Sequence, residues 1–350
     1  MLSRKGNFEK ILRYCITILF VSALIMEGTS SKSLGASEEE RPSSLIERAR
    51  SEGKIVLYSI QTITDTALMI KKFEEKYPGI KVESYRATSP NLQQKIIAEA
   101  RARRYIPDVI EIPSFNAALL KKERLYASYI SPENRVYAEG YKDPDGNWTS
   151  TFILPYLMGY NTKMLSRKDI PDTYEGFLNP RWKGKKIGFD TIGVEWFANM
   201  LKIMGEEKGM DFFRKLAAQQ LGLRAGHGII TDLVIAGEFP VGTVYPQQVD
   251  YRKKQGAPID WVAVAPVIAK LGTIGLAAHA NHPNAAKLYI DFALSKEGQA
   301  ITVSNGRVPA RQDIDADIFR AFKGIKIHPS DIALADKFTA YSKQFVEVLR

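Results

Sequence analysis

Two patterns of apolar residues alternate along the first part of the chain. Residues 54–59 form a continuous apolar run, which is typical of a strand buried on both faces. A helical pattern follows, and its apolar face comprises Thr66, Met69, Ile70, Phe73 and Tyr77. Further strands are predicted at 80–87 and 108–112, with a helix that begins at Ser89-Pro90 between them. This β-α-β-α-β order predicts a parallel sheet.

An extended apolar stretch from Trp148 to Tyr160 interrupts the alternation, which then resumes. We predict strands at 186–189 and 241–245 and helices at 195–207, 210–218 and 229–236. A second extended stretch, 260–267, precedes a predicted strand at 272–280. The helix after it has an apolar face made of Ala285, Leu288, Tyr289, Phe292 and Ala293. The pattern therefore indicates two α/β units joined by two crossovers, with a ligand cleft between them.

Composition agrees with a soluble two-lobed protein. The chain has 350 residues, 45% hydrophobic and 25% charged, which is long for one ordinary domain. Its net charge is +10, of which the first 36 residues carry +3 (five basic, two acidic), leaving +7 for the rest. That charge is spread without basic tracts, so it indicates either a solvated basic surface or attraction of an anionic partner. No interleaving of basic and aromatic residues points to nucleic acid, and we expect a monomer.

The N-terminus is predicted to be an export signal, residues 1–36. A basic segment with Arg4, Lys5, Lys10 and Arg13 precedes an apolar stretch at 11–26, and small residues follow at 34–37. The stretch is shorter than the roughly 20 residues of a spanning helix. We predict cleavage and a periplasmic protein, with an uncleaved membrane tether as the alternative. Cys15 is the only cysteine, so the mature chain would have no thiol.

Motifs for catalysis are missing from the sequence. It has no phosphate-binding loop, no dinucleotide-binding glycine pattern and no nucleophile elbow. The absence of cysteine after position 15 excludes thiol catalysis and zinc-thiolate sites. His279 and His282 are three residues apart but have no acidic or thiol partner nearby, so we read them as loop residues. The sequence therefore predicts no enzyme, no cofactor and no metal.

Five segments resemble the bacterial extracellular solute-binding proteins of ABC importers, in the branch of ferric-ion, thiamine, polyamine-like and phosphonate receptors. The resemblance covers roughly residues 48–312, and its segments occur in the family's order. They are KKFEEKYPGIKVE (71–83), PDGNW (144–148) with GYNTKML (159–165), PDTYEGFLNPRWKGKKIGF (171–189), GEFPVGTVY (237–245) and HPNAAKLYIDFALSKEGQAI (282–301).

This resemblance implies the type II periplasmic binding protein fold, in which two lobes close on a solute that is then passed to a membrane permease. We expect lobe 1 to comprise residues 44–150 and 267–350, and lobe 2 residues 151–266. A binding protein of this fold that feeds a sensor or chemoreceptor is the second possibility, and an enzyme on the same fold is the third.

Ligands of open α/β sheets lie at the carboxyl ends of strands, near helix N-termini. The loops at these positions are rich in hydroxyl and amide groups, as a site for a polar solute requires. They supply the predicted ligand-binding residues Ser59, Thr62, Thr64, Ser114, Asp190, Thr191, Arg224, Tyr245 and Gln247. Several have a structural alternative: Thr62, Thr64, Ser114 and Asp190 are also suited to cap helices, and Arg224 to be a surface charge. We interpret Tyr156 as hinge packing, His227 as a turn residue and Trp196 as core.

The predicted solute is a small polar or anionic molecule. Arg224 is suited to hold a carboxylate or phosphate by two hydrogen bonds, and the amides of Gln247 and Gln248 suit an organic or anionic solute. A thiamine-like ligand would need an aromatic wall and an acidic partner, for which Trp196, Tyr245 and Asp190 are candidates. Ferric receptors that this chain resembles use adjacent tyrosines, whereas the corresponding segment here reads YPQQVDY (245–251). Iron is therefore the less favoured alternative.

Overall fold

The computed structural model describes residues 42–315, 317–320 and 322–349, so the predicted export signal lies outside the described residues. The helices are α1 (Ser43–Glu52), α2 (Ile63–Lys76), α3 (Ser89–Arg101), α4 (Ser114–Lys122), α5 (Val194–Met204), α6 (Glu206–Ala217), α7 (His227–Ala236), α8 (Pro246–Lys254), α9 (Pro283–Leu294), α10 (Lys296–Ser304), α11 (Asp317–Arg320) and α12 (Phe338–Leu349). Short 3-10 helices lie at Pro132–Val136, Arg167–Asp169, Tyr174–Leu178, Pro180–Trp182 and Ile332–Lys337. Along this part of the chain, none of the helices combines the length and apolar character needed to cross a membrane.

The strands are β1 (Lys54–Ser59), β2 (Lys81–Arg86), β3 (Val109–Pro113), β4 (Thr149–Pro155), β5 (Leu157–Asn161), β6 (Ile187–Asp190), β7 (Gly222–Arg224), β8 (Val241–Val244), β9 (Ile259–Val262), β10 (Val267–Leu276), β11 (Val308–Pro309) and β12 (Ile327–Pro329). They form two sheets. The first has the order β11-β4-β10-β3-β1-β2, with β12 also paired to β10. The second has the order β7-β6-β8-β5-β9. We call the first sheet with its helices lobe 1 and the second with its helices lobe 2.

The predicted parallel core of lobe 1 is confirmed, because β1 pairs in parallel with both β2 and β3. The predicted helix faces are buried as expected: Met69 and Phe73 of α2 and Leu288 and Phe292 of α9 lie in the core of the first sheet. The predicted strand at 272–280 is shifted. In the structure β10 begins at Val267, because its first half pairs with β4 and β12.

Two glycines determine local features of the helices and strands. The helix predicted at 195–207 ends at Met204, because Gly205 adopts a φ of +84° that starts α6 in a new direction. Within the first sheet, Gly272 lies beneath the ring of Phe152, and a Cβ there would be 2.2 Å from the ring's Cζ. The glycine thus permits the close approach of β4 and β10.

The crossovers between the lobes lie slightly inside the predicted stretches. β4 remains paired with β10 as far as Pro155, and β5 of the other sheet begins at Leu157. The chain therefore leaves the first sheet at Tyr156, whereas the predicted boundary at 150/151 falls inside β4. The return runs from the end of β9 at Val262 to the start of β10.

The C-terminal segment makes a further connection that the predicted lobe boundaries omit. β12 pairs with β10 of lobe 1, but Asn199 of α5 donates to Ser330 at 3.0 Å and accepts from the Asp331 amide at 2.9 Å. Helix α12 then packs on α5 and α6, and its fully buried Phe345 belongs to the lobe 2 core. The assignment of residues 267–350 as a whole to lobe 1 is therefore corrected, because the amphipathic α12 buries its apolar face against lobe 2.

Candidate functional site

Side chains from both lobes meet where the carboxyl ends of the two sheets approach each other. Ser114 begins α4 directly after β3, Asp190 ends β6, His227 begins α7, and Tyr245 follows β8. Tyr156 lies at the crossover itself. Together with Glu195 of α5 and Lys270 of β10, these residues form what we call the cleft cluster: Ser114, Tyr156, Asp190, Glu195, His227, Tyr245 and Lys270.

Three rings form the aromatic part of the cleft cluster. The ring of His227 lies 4.1 Å from that of Tyr245 and 5.3 Å from that of Tyr156, and the two tyrosine rings are 5.3 Å apart. The tyrosine hydroxyls are hydrogen-bonded to each other. Burial raises the pKa of both phenols well above the ordinary value, so both stay protonated at neutral pH. This part of the cluster is therefore aromatic and uncharged, and its two hydroxyl groups are hydrogen-bonded to each other.

Asp190 is held by backbone amides. Its Oδ1 accepts from the amide of Gly226 at 2.9 Å and from that of Ile192 at 3.2 Å. Its Oδ2 lies 3.3 Å from Nε2 of His227. Nδ1 of the same ring lies 3.0 Å from the Thr243 carbonyl, and because a carbonyl only accepts, Nδ1 carries the proton. Burial lowers the pKa of His227, so the ring is neutral at pH 7.

Glu195 joins the two lobes. This buried carboxylate, in the first turn of α5, accepts from Ser114 Oγ of lobe 1 at 3.0 Å. The ammonium of Lys270, also in lobe 1, lies 3.7 Å from its other oxygen. A carboxylate near a helix N-terminus is stabilised by the helix dipole. The contact between the lobes is thus polar and charge-balanced.

A second polar group, the Glu111 network, lies within lobe 1. Glu111 of β3 is buried and accepts from Ser59 at 2.6 Å, Gln61 at 2.5 Å and Thr151 at 3.2 Å. Burial raises the pKa of Glu111. Ser59, at the carboxyl end of β1, is therefore engaged inside lobe 1.

The other predicted site residues lie apart from these two groups. Thr62 is exposed and caps α2 by accepting from the Asp65 amide at 3.1 Å, and Thr64 is exposed in the first turn. Thr191 is half-buried and donates to the Arg224 carbonyl at 3.4 Å. Gln247 is half-buried in the first turn of α8, and no group in the described part of the chain forms a hydrogen bond with its Oε1.

The side chain of Arg224 is used elsewhere. Its guanidinium donates to Glu238 at 2.6 Å and to the Leu223 carbonyl at 2.8 Å, and it lies over the ring of Phe239 at 5.4 Å. These contacts engage two of the guanidinium nitrogens within lobe 2. Arg224 is therefore not one of the residues of the cleft cluster.

Sequence reasoning missed several members of the cleft cluster. Glu195 and Lys270 carry no local signal, since one lies in a helix and the other in a strand, and only the closeness of the lobes brings them together. Tyr156 and His227 were interpreted as hinge and turn residues. Tyr156 does lie at the crossover, whereas His227 is the first residue of α7, and the rings of both line the cluster. Trp196 is core as predicted, buried among Tyr156, Tyr174, Phe189 and Phe213.

Two α/β lobes, two crossovers and a polar and aromatic cluster between the lobes define a type II periplasmic binding protein. The chain belongs to the bacterial extracellular solute-binding protein family, whose model matches residues 68–323. This is the fold of the solute-binding component of ABC importers. A small-molecule solute, an importer partner and a periplasmic location follow from the family.

Solved structures of similar fold come from several bacteria. Iron-bound HitA from Pseudomonas aeruginosa has a TM-score of 0.72 at 20% identity, covering 83% of this chain and 99% of its own. AfuA from Actinobacillus pleuropneumoniae, with fructose-6-phosphate bound, has a TM-score of 0.69 at 23% identity, covering 85% and 98%. By sequence, an uncharacterized protein of Haemophilus influenzae is 27% identical over 274 residues, a match that covers 74% of this chain and 78% of that protein. At these identities the structural likeness establishes the fold alone.

Proposed function

We propose that this chain captures a small polar solute in the cleft cluster and delivers it to an ABC permease in the inner membrane. The observation that carries the proposal is the cluster itself, in which Ser114, Glu195 and Lys270 link the lobes beside Tyr156 and Tyr245. A solute between the lobes would contact both and favour their closure, because closure is driven by contacts made only in the closed state. Asp190, His227 and Gln247 are the further proposed contacts.

The chemistry of the cluster favours a solute that brings hydrogen-bond donors. Two backbone amides near the cluster, those of Gly226 and Ile192, already donate to Asp190 and are not available to an anion. Arg224 is paired with Glu238. Two buried acceptors here lack a hydrogen-bond partner among the described residues: His227 Nε2 in the cluster and Gln247 Oε1 in the first turn of α8. An amino- or hydroxyl-bearing solute, including the predicted thiamine-like class, therefore fits better than a phosphonate.

Ferric ion is the second candidate, because Tyr156 and Tyr245 meet in space although the sequence has no adjacent tyrosine pair. Iron would have to displace protons from phenols whose pKa burial raises, which weakens this alternative. Iron binding would be detected as a visible tyrosinate-to-iron charge-transfer band after addition of a ferric chelate, and we expect none.

Native mass spectrometry of protein purified from its own periplasm tests the function directly. We expect a small organic molecule to co-purify, and that molecule should raise the melting temperature by mass action. Tyr245→Ala should weaken its binding by about 2 kcal/mol, or about 30-fold, as for a tyrosine central to a binding site. Tyr251→Ala, on the exposed face of α8 with 63% of the side chain accessible, is the matched control and should bind normally. If the two variants bind equally, the cleft cluster is not the site.

A further inference from the structure

Within the cleft cluster, His227 and Asp190 face each other as two acceptors. His227 is only 6% exposed and uses Nδ1–H to donate to the Thr243 carbonyl. Its Nε2 therefore presents a lone pair, has no hydrogen-bond partner among the described residues and lies 3.3 Å from Asp190 Oδ2. A buried acceptor without a donor costs about 1–3 kcal/mol. The arrangement is unfavourable until a donor group bridges the two atoms from one side.

The carboxylates of the cleft cluster outnumber its ammonium groups by one. The cleft cluster contains two carboxylates, Asp190 and Glu195, and one ammonium, that of Lys270. Lys270 lies by Glu195, 3.7 Å from its oxygen, which leaves Asp190 with backbone amides and a neutral ring as partners. The cluster thus has a net charge of about −1 in a chain whose net charge is +10. One positive charge on the solute would balance it, as buried charges require.

The surrounding rings suit a cation as well. The rings of Tyr156 and Tyr245 lie 5.3 and 4.1 Å from that of His227, so a cation beside Nε2 would be near two aromatic rings. Ring faces attract ammonium groups within about 6 Å of the centroid, most strongly when the site is desolvated.

We propose that the solute carries a protonated amine, which donates to Asp190 Oδ2 and His227 Nε2 at the same time. This inference rests on the proposed function and adds the chemical class of the solute. A hydroxyl has a single proton and can satisfy only one of the two acceptors, whereas an ammonium has three and also supplies the missing charge. A phosphate or carboxylate would add a negative charge and a third acceptor. Both Asp190 and His227 are buried, so the amine enters when the lobes open.

The test compares matched compounds. A panel of primary amines, each paired with the alcohol of the same skeleton (glucosamine with glucose, putrescine with 1,4-butanediol), is screened by thermal shift and calorimetry, together with the co-purifying solute. We expect the binder to contain a basic nitrogen and to bind at least about tenfold more tightly than its uncharged analogue. A binder without basic nitrogen, equal binding within a pair, or no amine that binds overturns the inference.

Asp190→Asn provides a second, internal test. The asparagine keeps Oδ1 for the two backbone amides, and its Nδ2–H can donate to His227 Nε2. We therefore expect the variant to keep or raise the melting temperature of the free protein while it loses amine affinity by about a hundredfold, the effect of removing one buried charged partner. Asp232→Asn, an exposed residue of α7 paired with Arg252, is the control and should bind normally. Unchanged affinity of Asp190→Asn contradicts the amine contact.

The two proposals fail differently. Binding of a solute without basic nitrogen that Tyr245→Ala weakens but Asp190→Asn does not would refute the amine and leave the receptor function intact. Binding that neither substitution affects would refute the site as well.

Discussion

At the residue scale, the buried ionisable groups divide into those used between the lobes and those used within one. Glu195 belongs to the first kind, and Asp190 and Glu111 to the second. All three are held by hydrogen bonds, which is the condition for burying a carboxylate. The difference lies in their hydrogen-bond partners: neutral hydroxyl and amide groups of its own lobe donate to Glu111, whereas Glu195 of lobe 2 contacts Ser114 and Lys270 of lobe 1.

Glu111 predicts a pH dependence of stability. Because burial raises the pKa of this carboxyl, the folded protein holds the proton more tightly than the unfolded chain. The contribution of Glu111 to the free energy of unfolding therefore decreases as the pH rises from about 4, where an ordinary glutamate titrates, to about 7. The Glu111→Gln variant cannot carry this charge. Its free energy of unfolding, measured by urea denaturation, should therefore rise relative to that of the native protein over the same pH range. Glu83→Gln, at an exposed position of β2, should give a difference of less than about 0.5 kcal/mol at every pH.

At the element scale, the C-terminal segment has the least expected role. β12 extends the sheet of lobe 1, and α12 completes the core of lobe 2. The ring of Phe345 lies 5.1 Å from that of Phe197 and 6.3 Å from that of Phe189. The segment between them, 330–337, thus connects the lobes a third time, in addition to the two crossovers.

Phe345→Ala should lower the free energy of unfolding by about 3–5 kcal/mol, because it removes a fully buried ring and leaves a cavity. Its neighbour Val346 is 44% exposed, and Val346→Ala should cost less than about 0.5 kcal/mol. Chemical denaturation followed by circular dichroism measures both. Similar values for the two variants would contradict the packing of α12 on lobe 2.

At the scale of the whole molecule, polar contacts at the cleft determine how readily the lobes separate. Ser114 and Lys270 of lobe 1 meet Glu195 of lobe 2, and Asn199 meets the C-terminal segment. Such contacts are individually weak in net free energy. A solute that adds contacts to both lobes can therefore shift the balance between open and closed forms.

Ser114→Ala removes a donor to a buried carboxylate and should disfavour the closed form by about 1–3 kcal/mol. The distance between spin labels at Lys71→Cys in lobe 1 and Lys208→Cys in lobe 2 should shift towards larger values in the solute-free protein. Ser131→Ala is the control, since Ser131 donates to Asp291 within lobe 1 at 2.6 Å. It should reduce stability without changing that distance. An unchanged distance in Ser114→Ala would show that this bond does not hold the lobes together.

The sequence by itself determined the architecture, because architecture follows from local periodicity. The alternation of buried runs and amphipathic helices was sufficient to predict two α/β units, and the extended stretches at 148–160 and 260–267 located both crossovers to within a few residues. The ends of strands then indicated Ser114, Asp190 and Tyr245 as site candidates, since loops at the carboxyl edge face the ligand in any open parallel sheet.

Only the tertiary structure decided which side chains share a site. Ser114 and Glu195 are 81 residues apart and Glu195 and Lys270 a further 75, and no periodic signal links them. Arg224 was a reasonable anion ligand from its place in the chain, yet the fold pairs it with Glu238. Likewise, only the fold shows that α12 packs on lobe 2. Periodicity reports how much of a residue is buried, whereas the neighbour across the interface depends on how distant segments pack.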